Sequence, residues 1–427
     1  MTSHELSQES PLLTWFAQAD PSGYALAIAA LERYRAFRIE QIAPVAKQLE
    51  EELRRGETRL QDALLSEAAR AGLFSLAFPK AVGGGGAPVL GMLLGLEELA
   101  AGCTGIANLL TVHGLALAVM GACGAVGPLV DCCRRIVTAE KLGQVYLLST
   151  AVTEPSAGTD WEHFDLLPEA RFSARATRVE GGYLLDGTKV FISNGSLAEQ
   201  HVVVMVTDPT QPTTSAMAFL VDASNPGLSV GRTEDKMGQT ACPAAELVFE
   251  RCFVPDSEVL GAFGAKELDL VLGASRAAVA AYGAGIARAN WEWVLGRLQD
   301  SGAANGWEKL AAGELRRQVD VARASYLAAG AAGGQFGLPA LLGGHWTRQL
   351  QSWLPASLLD RPSLRHFLSS PAIKRATQLA LEWLTRRSVE VAASHAAAAK
   401  ITASELAWES CRLTLSLSGA RGLLLSE

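Results

Sequence analysis

The spacing of apolar residues changes twice along this 427-residue chain, and that alternation constrains its fold more than any other feature. From about residue 20 to 145 the spacing is helical: Tyr24-Ala25-Leu26-Ala27-Ile28 leads on to Phe37-Arg38-Ile39 and Ile42, then to Leu60 through Ala71. From about 146 to 258 the texture becomes short runs bounded by turn residues. These are Val145 to Val152, Phe172 to Val179, Tyr183-Leu184-Leu185, Val190-Phe191-Ile192, His201 to Val206, Met217 to Val221 and Glu246 to Phe249. Gly181-Gly182 and Asp186-Gly187 supply hairpin-type turns, and Asp208-Pro209 marks a loop. From about 265 the pattern is helical again and rich in alanine, with Ala274 to Arg288, Leu315 to Ala332, Ile373 to Ala399 and Ser404 to Leu417 as candidate bundle helices.

This order predicts an α+β chain: an N-terminal α-helical domain over 20–145, a middle β-barrel or sandwich domain over 146–260, and a C-terminal α-helical bundle over 261–427. A stretch rich in Gly, Pro and Trp, at about 333–370, reads as an insertion in the bundle. With 49% apolar residues the chain can bury a large interior, enough for two or three domains.

A net charge of -7 leaves no concentrated basic surface for nucleic acid, and pairs such as Arg134-Arg135 and Arg316-Arg317 read as solvated helix faces. The polar start Met1-Thr2-Ser3-His4-Glu5-Leu6 lacks a basic region followed by an apolar core, so a cytoplasmic location is expected. The long apolar stretch from Ile106 to Val126 contains Asn108 and His113 and suits a buried helix better than a membrane span. Seven scattered cysteines have neither disulfide-framework nor zinc-site spacing; reduced, mostly buried thiols and no metal site are expected. Gly83-Gly84-Gly85-Gly86 could cradle a phosphate, but no strand precedes it and no Gly-Lys-Ser/Thr follows, which leaves an inter-helix loop as the simpler reading.

Chemistry concentrates in two strings. The first is Ala151-Val152-Thr153-Glu154-Pro155-Ser156-Ala157-Gly158-Thr159-Asp160, and the second is Phe191-Ile192-Ser193-Asn194-Gly195, which follows the Tyr183 to Lys189 hairpin. Taken alone, they could be a β-hairpin with a Gly turn and a capping Thr. Together, and in this order, they resemble the flavin-binding signature of the acyl-CoA dehydrogenase family. Phe78-Pro79 before the glycine cluster, Asp235-Lys236-Met237-Gly238, and Glu246-Leu247-Val248-Phe249-Glu250 followed by Val254-Pro255 resemble the same family in order, over roughly residues 25 to 300.

The resemblance implies FAD as cofactor and an acyl-CoA or acyl-carrier protein thioester as substrate, with an α,β double bond as the product. A flavin needs donors at its polar edge, an apolar wall along its ring and a close backbone approach beside its phosphates. By the resemblance, Thr150, Val152 and Thr153 contact the ring, Gly158 permits the close approach, and Thr159 reaches a flavin phosphate or the substrate's pantetheine. Phe191 covers the ring where the family often has Trp, and Ser193 hydrogen-bonds near its N5. Arg276, on the first bundle helix, would hold the nucleotide end of CoA, a role that suits its charge; a structural salt bridge is the competing reading. His163 follows the first motif where the family usually has small residues, and reads as local packing or a lip of the site.

The resemblance breaks at the catalytic base. The family's glutamate usually sits in a Tyr-Glu-Gly-Thr-like segment near the C-terminus, and this sequence reads Leu423-Leu424-Leu425-Ser426-Glu427 before such a segment would arrive. Some members place the base on the first bundle helix, where Ser275 stands here. The regions that bind the flavin pyrophosphate across subunits in the family read Ser301-Gly302-Ala303-Ala304-Asn305-Gly306 and Leu415 to Gly422, with Arg421 as a partial substitute cation. No catalytic residue is therefore assigned. Three readings stay open: a homo- or hetero-oligomer whose related subunit supplies the missing groups, an additional C-terminal tail, or the fold adapted to other flavin chemistry or to a non-catalytic partner role. An electron-accepting flavoprotein is a further expected partner.

Overall fold

In the computed structural model, residues 11–158, 170–301, 305–336, 362–385 and 389–418 are described. The first helical stretch comprises α1 (Pro11–Ala19), α2 (Pro21–Phe37), α3 (Ala46–Arg54), α4 (Arg59–Arg70), α5 (Val89–Gly102), α6 (Thr104–Ala122) and α7 (Val126–Lys141). Asp20 caps α2 by accepting a hydrogen bond from the Gly23 amide, and Pro21 occupies its first turn, where a missing N–H costs nothing. The four-glycine loop is inward-looking. Gly84, Gly85 and Gly86 donate their amides to Pro79, Ser75 and Phe78 carbonyls, and a Cβ on Gly84 would sit 2.4 Å from Phe78. Glycine is required there for close backbone packing, and those amides are not available to a phosphate.

The middle stretch forms one eight-stranded sheet: β1 (Leu148–Ala151), β2 (Arg175–Val179), β3 (Gly182–Ser193), β4 (Gln200–Val206), β5 (Ala216–Asp222), β6 (Leu228–Thr233), β7 (Ala244–Pro255) and β8 (Val259–Ala262). Along the sheet the order is β6-β7-β3-β2-β4-β5-β8, with β1 paired in parallel to β4. Strand β4 is buried from end to end, and its period of two explains why it is apolar throughout. Val202, Val204 and Val206 enter the large core shared with the helices, while Val203 and Met205 enter a second core on the opposite face. Strand β5 divides likewise, with Ala218 and Leu220 on the helical side and Phe219 and Val221 on the other. Thr150 shares the parity of Leu148 and so lies on the helix-covered face of β1.

The last stretch contains α8 (Ala265–Ser301), α9 (Gly306–Phe336), α10 (Pro362–Leu368), α11 (Pro371–Thr385) and α12 (Val389–Ser418). Helices α8, α9 and α12 pack on one another through small residues: a Cβ on Gly283 would lie 2.5 Å from the Ala403 carbonyl. The predicted insertion at 333–370 falls for the most part outside the described residues. A buried ionic cluster clamps the bundle to the first helices. Glu98 of α5 receives Arg288 of α8 at 2.8 and 2.9 Å and Arg35 of α2 at 3.0 Å; Glu97 receives Arg323 and Tyr326 of α9, both at 2.6 Å. Burial alone would raise the Glu97 carboxyl, but the Arg323 and Arg288 guanidiniums outweigh it and hold that group down at about 2.

Helices α6 and α8 are long and apolar enough to cross a membrane by length and composition, and in each the most apolar window is 61% buried inside the fold. None of the seven cysteines is bridged. Among the described residues, no three His, Cys, Asp or Glu side chains group as a metal site.

Candidate functional site

The site is built where β1 runs out into a loop and meets β3. Residue 154 is an acid in a loop that turns back on itself through paired Glu154 and Ala157 backbones. The Glu154 side chain is buried, and both carboxylate oxygens are engaged. One receives the Lys189 ammonium at 2.8 Å; the other receives the Ser173 amide at 2.8 Å, the Ser173 hydroxyl at 3.2 Å and the Ala174 amide at 3.0 Å. Lys189, itself fully buried, also donates to the Val152 carbonyl at 2.8 Å. Burial pulls its ammonium below the ordinary lysine range against the opposing pull of Glu154. The Val190 amide then donates to the Thr153 carbonyl at 2.9 Å. One ion pair and two backbone contacts thus fasten the 152–154 loop to β3.

Beyond Lys189 the register of β3 against β7 slips between Lys189 and Ile192. Phe191 sits in this bulge with φ +58°, a conformation uncommon for an aromatic residue, and its ring is 62% exposed. A bulge of this kind re-aims one side chain without breaking the strand, so Val190 and Ile192 stay in the core while Phe191 projects. Asn194 follows with φ +60°, fully buried, donating its amide to Pro243 and its side-chain nitrogen to the Leu109 carbonyl of α6 at 3.0 Å. Gly195 must be glycine on packing grounds, because a Cβ would fall 2.8 Å from the Ile192 carbonyl.

A second loop, residues 236–243, closes on the same place. Lys236 donates to the Cys242 carbonyl at 2.7 Å, Gln61 of α4 to the Ala241 carbonyl at 2.8 Å, and Asn108 of α6 to Gln239 at 3.0 Å. At Gly105 a Cβ would sit 2.9 Å from Ala241, so α6 lies directly against this loop.

The structure therefore brings Thr150, Val152, Thr153, Gly158, Phe191 and Ser193 to one neighbourhood between the β1–β3 junction and α6. Among the described residues, the buried Thr150 hydroxyl oxygen has no hydrogen-bond partner. Val152 packs at the edge of the large core. Among the described residues, a Cβ added at Gly158 would meet Thr153 Cγ2 at 3.7 Å, an ordinary van der Waals distance. Ser193 is half-buried. Arg276 lies on α8, half-buried, and its charge acts on the Asp269 carboxyl, which burial raises and Glu390 of α12 raises further. Ser275 donates to the Leu272 carbonyl of its own helix at 3.4 Å. Thr159, His163 and Arg421 lie outside the described residues. The sequence reading assigned no role to Glu154, Lys189, Asn194 or Cys242. A charged residue at the inward parity of β3, in step with Leu185, was the available sign that Lys189 needs a buried partner.

Residues 149–252 match the family described as acyl-CoA dehydrogenase, middle domain, and residues 28–125 match acyl-CoA dehydrogenase, N-terminal domain. Cyclohex-1-ene-1-carbonyl-CoA dehydrogenase from Geobacter metallireducens is 33% identical over 274 residues, 63% of this chain and 67% of that protein. The chain belongs to the acyl-CoA dehydrogenase family. Benzylmalonyl-CoA dehydrogenase from Aromatoleum aromaticum is 32% identical over 265 residues, 60% of this chain but 64% of that protein, so the alignment spans less than two thirds of it. Among solved structures, butyryl-CoA dehydrogenase from Megasphaera elsdenii shares the fold with a TM-score of 0.69 at 23% identity, covering 94% of this acyl-CoA dehydrogenase homologue and 90% of that chain. An acyl-CoA dehydrogenase from Bacillus anthracis, complexed with FAD, shares it with a TM-score of 0.66 at 19% identity, covering 94% and 61%.

Proposed function

We propose that this family member binds FAD at the β1–β3 junction and takes part in α,β-dehydrogenation of an acyl thioester, with CoA or a carrier protein as the thiol handle. The observations that carry the reading are an exposed Phe191, held at positive φ in a bulge of β3, and a buried Thr150 hydroxyl on β1 that has no hydrogen-bond partner among the described residues. A strained aromatic projecting from a strand and an orphaned polar atom both cost free energy unless a ligand uses them. A flavin ring fits: it needs an apolar wall and polar contacts along one edge.

On this reading Val152 and Phe191 supply apolar surface, Thr150, Thr153 and Ser193 supply polar contacts, and Gly158 allows close approach of the backbone. Thr159 would reach a phosphate or the pantetheine arm, and Arg276 the nucleotide end of CoA. FAD, when bound, supplies the acceptor for the substrate's β-hydride. Lys189 and Glu154 hold the loop that presents Val152 and Thr153; Glu154 is spent in that role and is no candidate for the base. The proton from the substrate's α-carbon needs a carboxylate, and Ser275 offers none. The reading therefore includes an oligomeric assembly, with a related subunit or an additional C-terminal tail bringing the base, and an electron-accepting flavoprotein to reoxidise the cofactor.

The test is anaerobic addition of saturated acyl-CoA or acyl-carrier thioesters to FAD-loaded protein, alone and with a co-purifying related subunit. Bleaching of the flavin band with either preparation supports dehydrogenation. A band that persists with both across a broad panel of acyl groups overturns it while leaving flavin binding intact.

A further inference from the structure

Two side-chain amides meet where α6 faces the 236–243 loop. The Asn108 nitrogen donates to the Gln239 side-chain oxygen at 3.0 Å and approaches the Cys242 sulfur at 3.5 Å. The Asn108 oxygen and the Gln239 nitrogen are left over, and among the described residues no hydrogen bond engages either. Turning both amides over exchanges the atoms but still leaves one N–H donor and one oxygen acceptor side by side. Such a pair is the complement of a secondary amide, which carries one carbonyl and one N–H.

Both partners are fixed in place. Gln239 is exposed yet keeps φ +55°, a conformation uncommon for a residue other than glycine, and its carbonyl accepts the Cys242 amide at 2.9 Å. The residue after Asn108, Leu109, receives the side chain of Asn194, which follows Ser193. The residue before it, Ala107, receives the Tyr282 hydroxyl of α8 at 3.5 Å. Arg276 precedes Tyr282 on that helix by about 9 Å, at 1.5 Å of rise per residue. The turn of α6 that carries Asn108 therefore touches both the strand end of Ser193 and the helix of Arg276.

We propose that Asn108 and Gln239 bind an amide of the substrate's thiol handle, the Gln239 nitrogen donating to its carbonyl and the Asn108 oxygen accepting from its N–H. The inference rests on the thioester reading above, in which Ser193 lies near the reacting end and Arg276 near the nucleotide end. CoA and an acyl carrier present the same amide-bearing pantetheine arm, so the pair recognises the handle and not the acyl group.

Isothermal titration of the full chain, with FAD present, compares two acetyl thioesters of equal length. One is made from N-acetylcysteamine, which has the amide, and the other from pentanethiol, which lacks it. Acetyl has no β-carbon, so neither is dehydrogenated and binding alone is read. Wild-type protein should prefer the amide by about tenfold, the worth of one well-placed hydrogen bond or more. Gln239→Glu still accepts from Asn108 but offers no N–H; it should keep the thermal midpoint and lose the preference. A merely structural bridge survives that substitution unchanged, so an undiminished preference overturns the proposal, as does a wild type without one. Acetyl-CoA and an acetylated carrier protein, titrated alongside, distinguish the source of the arm. The Gln239→Glu loss should appear with at least one of them, and a loss with neither overturns the assignment. Flavin bleaching by longer acyl thioesters would in that case leave the dehydrogenation reading standing.

Discussion

Removing Lys189 tests the foundation of the site most severely. In Lys189→Met the stem volume is kept, but Glu154 loses the ammonium at 2.8 Å while remaining buried, and Val152 loses a donor to its carbonyl. Stripping one partner from a buried ion pair costs about 3–5 kcal/mol, because the survivor's charge stays desolvated without compensation. For a cooperative unit of 150–250 residues, a loss of that size lowers the thermal midpoint by about 6–20 °C. Glu154→Gln should fall in the same range, since it strands the lysine. The double variant Glu154→Leu/Lys189→Met should recover most of the loss, as apolar replacement of a buried pair is often neutral. A residual deficit of about 1–3 kcal/mol should remain from the Ser173 and Ala174 amides that lose their acceptor. The assay is scanning calorimetry or circular dichroism melting of all four proteins. Single variants within about 0.5 kcal/mol of wild type, or a double variant whose loss equals the sum of the singles, would refute the assignment of Lys189–Glu154 as a buried, mutually dependent pair.

Phe191→Gly should raise the apo midpoint slightly, by relief of about 1 kcal/mol of left-handed strain, while weakening FAD retention; a midpoint that falls would contradict the strain argument. His113 and His201 are both held at about 4 by burial, with Asp222 opposing the shift at His201. A depressed histidine adds stability above its unfolded value near 6.5 and loses it as pH falls from there to 4, on the order of 2 kcal/mol per residue between pH 7 and pH 5. Denaturation curves across that range should flatten in a His113→Gln/His201→Gln variant, and an unchanged slope would be evidence against titration of these rings. Glu97→Ala should cost about 3–5 kcal/mol, because Arg288 and Arg323 lose a buried partner, and the loss should be read as a lower urea midpoint.

The three-part texture was legible because each period has a direct geometric meaning. Apolar spacing near 3.6 marked α2 and α4, and the run from His201 to Val206 marked β4, a strand buried on both faces. Gly181-Gly182 was read as a turn, and Gly181 adopts φ +76° between β2 and β3. Phe191 carried no such sign, since aromatic residues rarely choose that conformation and the bulge that forces it arises from pairing with β7. The Lys189–Glu154 pair is separated by 35 residues and Asn194 meets Cys242 from 48 residues away, so their contacts depend on tertiary packing that no local pattern encodes. The motif strings marked the candidate site; the non-local contacts that fasten its loop came only with the fold.

A flavin bound at the β1–β3 junction is the proposal on which the rest depends. Equilibrium titration of the full chain with FAD, monitored by quenching of flavin fluorescence and by the visible spectrum, tests it most directly. The expected result is a yellow one-to-one complex that Thr153→Ala and Ser193→Ala each loosen by about tenfold, the worth of one well-placed hydrogen bond. A protein that stays colourless at saturating FAD, or a complex that neither substitution weakens, would contradict it.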